Sequence, residues 1–306
     1  MTTRGSPDAL STGTPAPPRD RAPQSSLPPR ESTAPSGKRP TFVSKPPAAP
    51  KYKDVVSRFL EHIGQISQMT WQSFRVMFRR PLEIDSTLYQ LEALGVRSLS
   101  ITAITAVFTG MVMAIQFAFG LQKFGGMEYT GRIIGLSFSR ELAPTLTAVI
   151  VGGRIASGIA AEVGSMSVTE QIDAIRALGA DPVKKLVVPR LVASVILMPV
   201  LGAIALVLGF AGAMFICSVE FGIPAGFFLR TALGSVGFSD FLAGIFKCPF
   251  FGALMALIGC PFGIRTRGGT EGVGQATTRT VVATSTAILV ADFLLTKVTF
   301  LMFYSR

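Results

Sequence analysis

The sequence predicts an all-α integral membrane protein: five transmembrane helices, preceded by an amphipathic interfacial helix and a disordered N-terminal tail. Three observations predict it. Charged residues make up only 15% of the 306 residues, well below the roughly 25% of a soluble domain. Two stretches, Ser98 to Gln122 and Leu191 to Val219, run 25 and 29 residues without a charge, and each exceeds the ~20 residues that cross a bilayer core. The basic excess sits largely in the first 80 residues, which hold 13 basic and 5 acidic groups of a chain whose net charge is +11.

Residues 1–50 carry 12 of the 20 prolines with Ser, Thr and Arg between them. Such a segment cannot bury enough surface to offset its ordering entropy, so disorder is expected. It has no apolar core of a secretory signal. From 51 to 80 the pattern changes: Val56, Phe59, Leu60, Ile63, Ile66, Phe74, Met77 and Phe78 recur at three- and four-residue steps. That is one apolar helical face. Lys51, Lys53, Arg75, Arg79 and Arg80, with Trp71 on the strip, suit a helix in the headgroup plane.

The remainder, 81–306, holds spans at about 98–122, 133–161, 191–219, 241–264 and 280–304. The second contains Arg140, Glu141 and Arg154, the fourth Lys247, and the fifth Asp292 and Lys297. Charges at such depth are tolerated only facing the bundle or a cavity. Asp292 and Lys297 are too far round one helix to pair, so each is expected to meet a partner on another span. Lys247 is expected to snorkel outward from the start of the fourth span. Gly209 with Ala213, and Gly259 with Gly263, fit close helix crossings.

With the N-terminus in the cytosol, ten basic groups near span ends fall inside, among them Arg97, Arg176, Lys184, Lys185, Arg190, Arg265, Arg267 and Arg279, against four outside. The positive-inside rule therefore places the N-terminus in the cytosol and the C-terminus on the outer side. The base excess itself answers to an anionic membrane surface. No zinc pattern or basic-aromatic stripe accompanies it, so nucleic acid is not an expected partner.

Few classes of chemistry survive. No G-x-x-x-x-G-K-[ST] pattern occurs, and the glycine-rich 268–274 segment lacks the lysine that would meet a phosphate, so ATP hydrolysis by this chain is not expected. The single histidine, His62, lies on the amphipathic segment, away from any triad among the spans. Cys217, Cys248 and Cys260 lie in apolar stretches without CxxC spacing and read as small buried hydrophobes rather than metal ligands.

The loop 162–190, EVGSMSVTEQIDAIRALGADPVKKLVVPR, is expected to contain a short helix. Ser167 and Thr169 are placed to cap its start, Ile172, Ile175 and Leu178 form its apolar strip, and Gly179 followed by Pro182 ends it. A short amphipathic helix between two spans suits insertion into a groove of a cytosolic partner. A solvated connector against the bilayer is the alternative.

At this point a resemblance becomes specific. Arg140-Glu141-Leu142-Ala143-Pro144, Gly153-Arg154, Ala161-Glu162, Val168-Thr169-Glu170-Gln171-Ile172-Asp173-Ala174, Gly179-Ala180-Asp181-Pro182 and Val188-Pro189-Arg190 resemble the MlaE/YrbE family, permease subunits of Mla- and Mce-type lipid ABC transporters. Gly272-Val273-Gly274-Gln275-Ala276-Thr277-Thr278-Arg279 and Asp292-Phe293-Leu294-Leu295-Thr296 continue it. The likeness spans about Lys51 to the C-terminus and leaves the proline-rich tail outside.

The resemblance implies a homodimeric permease of a bacterial inner membrane, with a cytosolic ATPase dimer beneath it that carries the ATP and magnesium. A periplasmic MCE-domain lipid-binding protein would sit above, with a STAS-domain protein in some systems, and phospholipid would be the cargo. The chain itself would be non-catalytic and bind no cofactor or metal. The 162–190 loop would be the coupling element, working through Glu162, Thr169, Glu170, Gln171, Asp173 and Arg176. The lipid cavity would be lined by Met113, Phe117, Leu121, Phe124, Arg140, Glu141 and Leu142. From their charge at membrane depth rather than from the resemblance, Arg154, Asp292 and Lys297 are expected to form an intramembrane polar network. A structural role for Arg140, Glu141 and Arg154 remains open beside the ligand-binding one. A second class, an autonomous secondary transporter that relays ions through Arg140, Glu141 and Asp292, is the alternative to weigh.

Overall fold

The structure, a computed structural model, describes residues 84–304. Residues 1–50, expected to be a tail, and 51–80, expected to be an amphipathic helix, lie outside the described residues, as do His62 and Trp71. Among those described, every regular element is helical. Five helical segments are long and apolar enough to cross a membrane.

Helix α1 runs Ile84–Gln122. At 1.5 Å per residue it is about 58 Å long, far more than a ~30 Å bilayer core. It begins well before residue 98 because the stretch from 84 to 97 contains no proline and nothing else that stops a helix. A 3₁₀ turn, Met127–Tyr129, leads to α2, Thr130–Ser137. The second span then passes through a π-helical turn, Phe138–Leu142, into α3, Ala143–Val168. The short α4, Gln171–Ala177, follows. A second π turn, Val183–Val187, opens into α5, Val188–Val219. Helix α6, Ala225–Ser235, lies in the connection between α5 and the next span, and α7, Phe238–Ile264, and α8, Gly269–Tyr304, follow.

The two π turns share a cause. Each is followed by a proline at the second residue of the next helix, Pro144 in α3 and Pro189 in α5. Proline has no N–H to give, so the carbonyl upstream loses its i−4 donor and the ladder widens by one residue. Ala143 N–H accordingly donates to the Phe138 carbonyl and Val188 N–H to Val183.

Helix α3 is the hub, packed on α7 and α8, while α5 packs on α1 and α7. The larger core gathers Val151, Ile155 and Ile159 of α3, Met198 and Leu201 of α5, Phe251 and Met255 of α7 and Ile288 of α8. A smaller one joins Ala114, Ile134, Ala213, Cys217, Phe228 and Ala232. Lipid is as apolar as leucine, so contact between spans depends on backbone approach rather than on transfer from water. A Cβ on Gly110 would collide with the Gly209 carbonyl, which fixes the α1–α5 crossing. Gly259 and Gly263 lie against Ala156, Ile159 and Val163 in the same way, so the small-residue pairs mark crossings as the spacing predicts. All three cysteines are free and buried.

Helix α6 was not expected from the sequence. Gly222 and Pro224 punctuate that stretch like a loop, yet Phe228 and Ala232 are fully buried, so α6 is held by packing on α2 rather than by its own propensity.

Candidate functional site in the membrane

The π turn delivers Arg140 and Glu141 to α7 and α8. Arg140 grips Asp240 near the start of α7: its Nε donates to Oδ1 at 2.9 Å and Nη2 lies 2.8 Å from the same oxygen. The other carboxylate oxygen of Asp240 accepts the Gly237 N–H at 2.8 Å, so the residue that caps α7 also anchors the π turn.

One residue on, Glu141 accepts from Lys247 Nζ at 2.6 Å. That ammonium also donates to Thr296 Oγ1 at 2.7 Å and to Asp292 Oδ1 at 3.2 Å, both on α8. Its three N–H bonds meet three acceptors. Thr296 in turn lies within reach of both Glu141 oxygens and of the Asp292 carbonyl, 2.7 Å away. Three spans are thus tied at one depth, with Lys247 buried at 1% side-chain exposure.

Beside this cluster opens a pocket of about 300 Å³. Arg140, Glu141 and Lys247 lie along it with Ser137, Thr296 and Thr299, and Leu136, Ala243 and Phe300 supply apolar wall. Charged groups set against apolar surface in a concave site can receive an amphipathic molecule with its polar end at Arg140.

Lys247 overturns one expectation. It does not snorkel outward; it points inward, because Glu141 and Asp292 offer counter-charges at its own depth, where lipid offers none. Asp292 meets its partner on another span as expected. Lys297 does not: it is exposed, and no ion pair forms to it among the described residues.

The remaining predicted residues fall in separate places. Met113, Phe117 and Leu121 lie in the last third of α1, where Phe117 packs on the smaller core, and Phe124 in the following turn is 87% exposed. None of them lines the Arg140 pocket. Leu142 faces the other way, toward Thr105, Thr109 and Ala205. Arg154, fourteen residues beyond Arg140 and about 21 Å along the helix, donates instead to the Arg97 carbonyl of α1. With Arg97, Gln90 and Glu162 it borders a second pocket of about 520 Å³.

In the loop after α3, the expected short helix is present as α4, but Ser167 and Thr169 do not cap it. The Ser167 hydroxyl donates to the Ile264 carbonyl at 2.9 Å and Thr169 donates back to Ser165, so both finish α3. The residue before α4 is Glu170, in the left-handed region at φ 58°. Ile172 is buried at 3%, whereas Leu178 is 85% exposed just past the helix end. Asp173 and Arg176 pair at 2.9 Å, both exposed, and Gln171 is exposed beside them. Glu162 holds the buried Arg190 at 2.7 Å, so the two ends of the loop are bolted together. The sequence assigns no role to Asp240, and it presents Thr296 and Arg190 only as parts of family motifs; the signal for Thr296 is its place one turn after Asp292.

Residues 87–298 match the family described as permease MlaE. The chain belongs to the MlaE permease family. A probable ABC transporter permease protein of Synechocystis is 40% identical over 232 residues, 76% of this chain and 88% of its own. A probable ABC transporter permease of Rickettsia typhi is 33% identical over 79% of this chain and 94% of its own length. The chloroplast protein TRIGALACTOSYLDIACYLGLYCEROL 1 of Arabidopsis thaliana is 37% identical over 69% of this chain and 61% of its own. The MlaE-family chain is therefore a multi-pass membrane permease of an ABC-type transporter, a class that works with a partner ATPase. The matched residues contain both the ion cluster and the α4 loop.

Proposed function

We propose that this MlaE-family permease moves phospholipid or a related lipid between a bacterial inner membrane and a periplasmic MCE-domain carrier, powered by a separate ATPase dimer that supplies ATP and magnesium. The observation that carries the reading is the Arg140 pocket: a guanidinium and an ion cluster held at membrane depth against Leu136, Ala243 and Phe300. Acyl chains are compatible with that wall and an anionic headgroup with Arg140. One relative bears the name of a glycolipid, which agrees with a lipid cargo.

In this reading two copies associate, and the apolar faces of α1 and α8, with Phe108, Phe119, Phe293 and Leu301 all more than half exposed, meet lipid or the second copy. The α4 loop is the handle. Ile172 fastens it to the body while Leu178, Glu170, Gln171 and Asp173 are offered outward to the ATPase. The N-terminus lies in the cytosol and the C-terminus in the periplasm, following the basic residues. A STAS-domain subunit on the ATPase is compatible with it.

The lipid assignment is tested by placing a photo-crosslinking residue at Leu136 or Thr299 in cells. Capture of phospholipid there, and its loss in Arg140→Leu, supports the reading; capture of no lipid at either position refutes it. An ion relay through Arg140, Glu141 and Asp292 is the second reading, and the Lys247 ammonium that bridges Glu141 and Asp292 suits it. Lipid movement under an ion gradient with no ATPase present would favour that one.

A further inference from the structure

The glycine-rich segment that fails as a nucleotide loop borders a different site. At the turn between α7 and α8, Pro261, Phe262, Thr266 and Ala276 form the walls of a pocket of about 250 Å³, and Arg265, Arg267, Gln275 and Arg279 line it. Three guanidinium groups share this space, and among the described residues no carboxylate lies within ion-pair distance of any of them. The pocket is built rather than incidental. Gly268 and Gly269 take φ of +91° and +69°, which reverses the chain tightly enough for Gly272 to press on the Arg267 carbonyl. A Cβ at 272 would collide there. The turn therefore brings Arg267 round to face the first turns of α8, where Gln275 and Arg279 follow at one-turn spacing.

Three exposed arginines without a contact ion pair, over an apolar floor at the end of two spans and with Glu271 engaged by Gln275 at 3.4 Å, suit an anion with oxygens enough for several forked donors. Basic pockets between spans at a membrane surface take phosphate headgroups. We propose that this pocket binds a phosphate group, from a membrane lipid headgroup or free in solution, at a site separate from the Arg140 pocket. It is also mechanically placed. Ser167, at the root of the α4 loop, donates to the Ile264 carbonyl at 2.9 Å and lies 3.4 Å from that of Thr266, so an occupied pocket stiffens the turn on which the loop rests. The inference needs this end of α7 and α8 to meet a membrane surface or water, and does not depend on what the transporter carries.

The test uses the full chain in a neutral detergent and native mass spectrometry. Palmitoyl-oleoyl phosphatidylglycerol, the matching diacylglycerol and inorganic phosphate are titrated separately. The proposal predicts that a phosphate-bearing probe binds and diacylglycerol does not. Affinity should fall about fivefold per arginine and about a hundredfold in Arg265→Gln/Arg267→Gln/Arg279→Gln. The corresponding triple lysine variant, which keeps the charge but loses the forks, should bind more tightly than the glutamine variant and more weakly than wild type, and it controls for folding. Tight phosphatidylglycerol with weak phosphate assigns the lipid source, and the reverse assigns a soluble one. Equal binding by wild type and the glutamine variant overturns the proposal. So does a glutamine variant that loses the ATPase on co-purification while wild type binds neither phosphate probe, since the arginines would then serve a protein contact.

Discussion

Replacing Lys247 by Met keeps an unbranched side chain only one atom shorter and removes its charge. Glu141 and Asp292, 2.6 and 3.2 Å from the lost ammonium, then face each other with no cation between them. At an effective dielectric of ~20 the two attractions amount to roughly 6 and 5 kcal/mol before desolvation is subtracted. Glu141 retains 39% side-chain exposure and Asp292 17%, so solvent and rearrangement return part of that loss. Breaking a buried pair by deleting one member costs about 3–5 kcal/mol. For a domain of this size that corresponds to a fall in Tm of about 6–20 °C. The assay is thermal unfolding of the detergent-solubilised chain, followed by size-exclusion fluorescence. The companion variant Lys247→Met/Glu141→Gln/Asp292→Asn has no uncompensated charge and should recover to within about 1 kcal/mol of wild type. A single variant as stable as wild type, or a triple variant no better than the single one, would refute the claim that the ammonium ties three spans.

Three further outcomes follow from the packing and the loop. Gly110→Val inserts side-chain atoms against the Gly209 carbonyl and should destabilise the chain by at least about 1–3 kcal/mol, read in the same thermal assay, whereas Gly120→Ala, with open space around its Cβ, should be neutral. Leu178→Asp changes a residue that is 85% exposed, so the melting temperature of the isolated chain should hold while co-purification with the partner ATPase is lost. Cys217, Cys248 and Cys260 are buried, and maleimide should label none of them until the chain is unfolded.

Much of the fold was legible because span length and charge avoidance are set by the bilayer. The uncharged runs gave α1 and α5 their membrane portions, and Gly179 and Pro182 marked the end of α4. Helix ends were less legible: residues 84–97 and 269–279 are polar helix, which hydropathy does not separate from loop. Both π turns were present in the sequence only as Pro144 and Pro189, and a proline near a helix start ordinarily signals a favourable first turn rather than a widened ladder upstream. The site was half legible. Arg140, Glu141 and Asp292 stood out as charges at membrane depth, but pairing them depends on the rotation of three spans, which no single-span pattern contains. A single-span pattern therefore sets Lys247 against lipid, whereas its partners lie on the π turn that leads into α3 and on α8. The capping expectation fails for a related reason: Ser167 lies in the last turn of α3, where its hydroxyl donates to the Ile264 carbonyl of α7 rather than accepting an N–H at the start of α4.

Proteoliposomes holding the chain with its ATPase, loaded with a fluorescent phospholipid and given an acceptor MCE-domain protein outside, address the transport reading most directly. Transfer to the acceptor should require ATP, stop in Leu178→Asp and in Arg140→Leu, and ignore an imposed proton gradient. Transfer that proceeds at the same rate without the ATPase, or that follows the gradient instead of ATP, would contradict a motor-driven lipid permease.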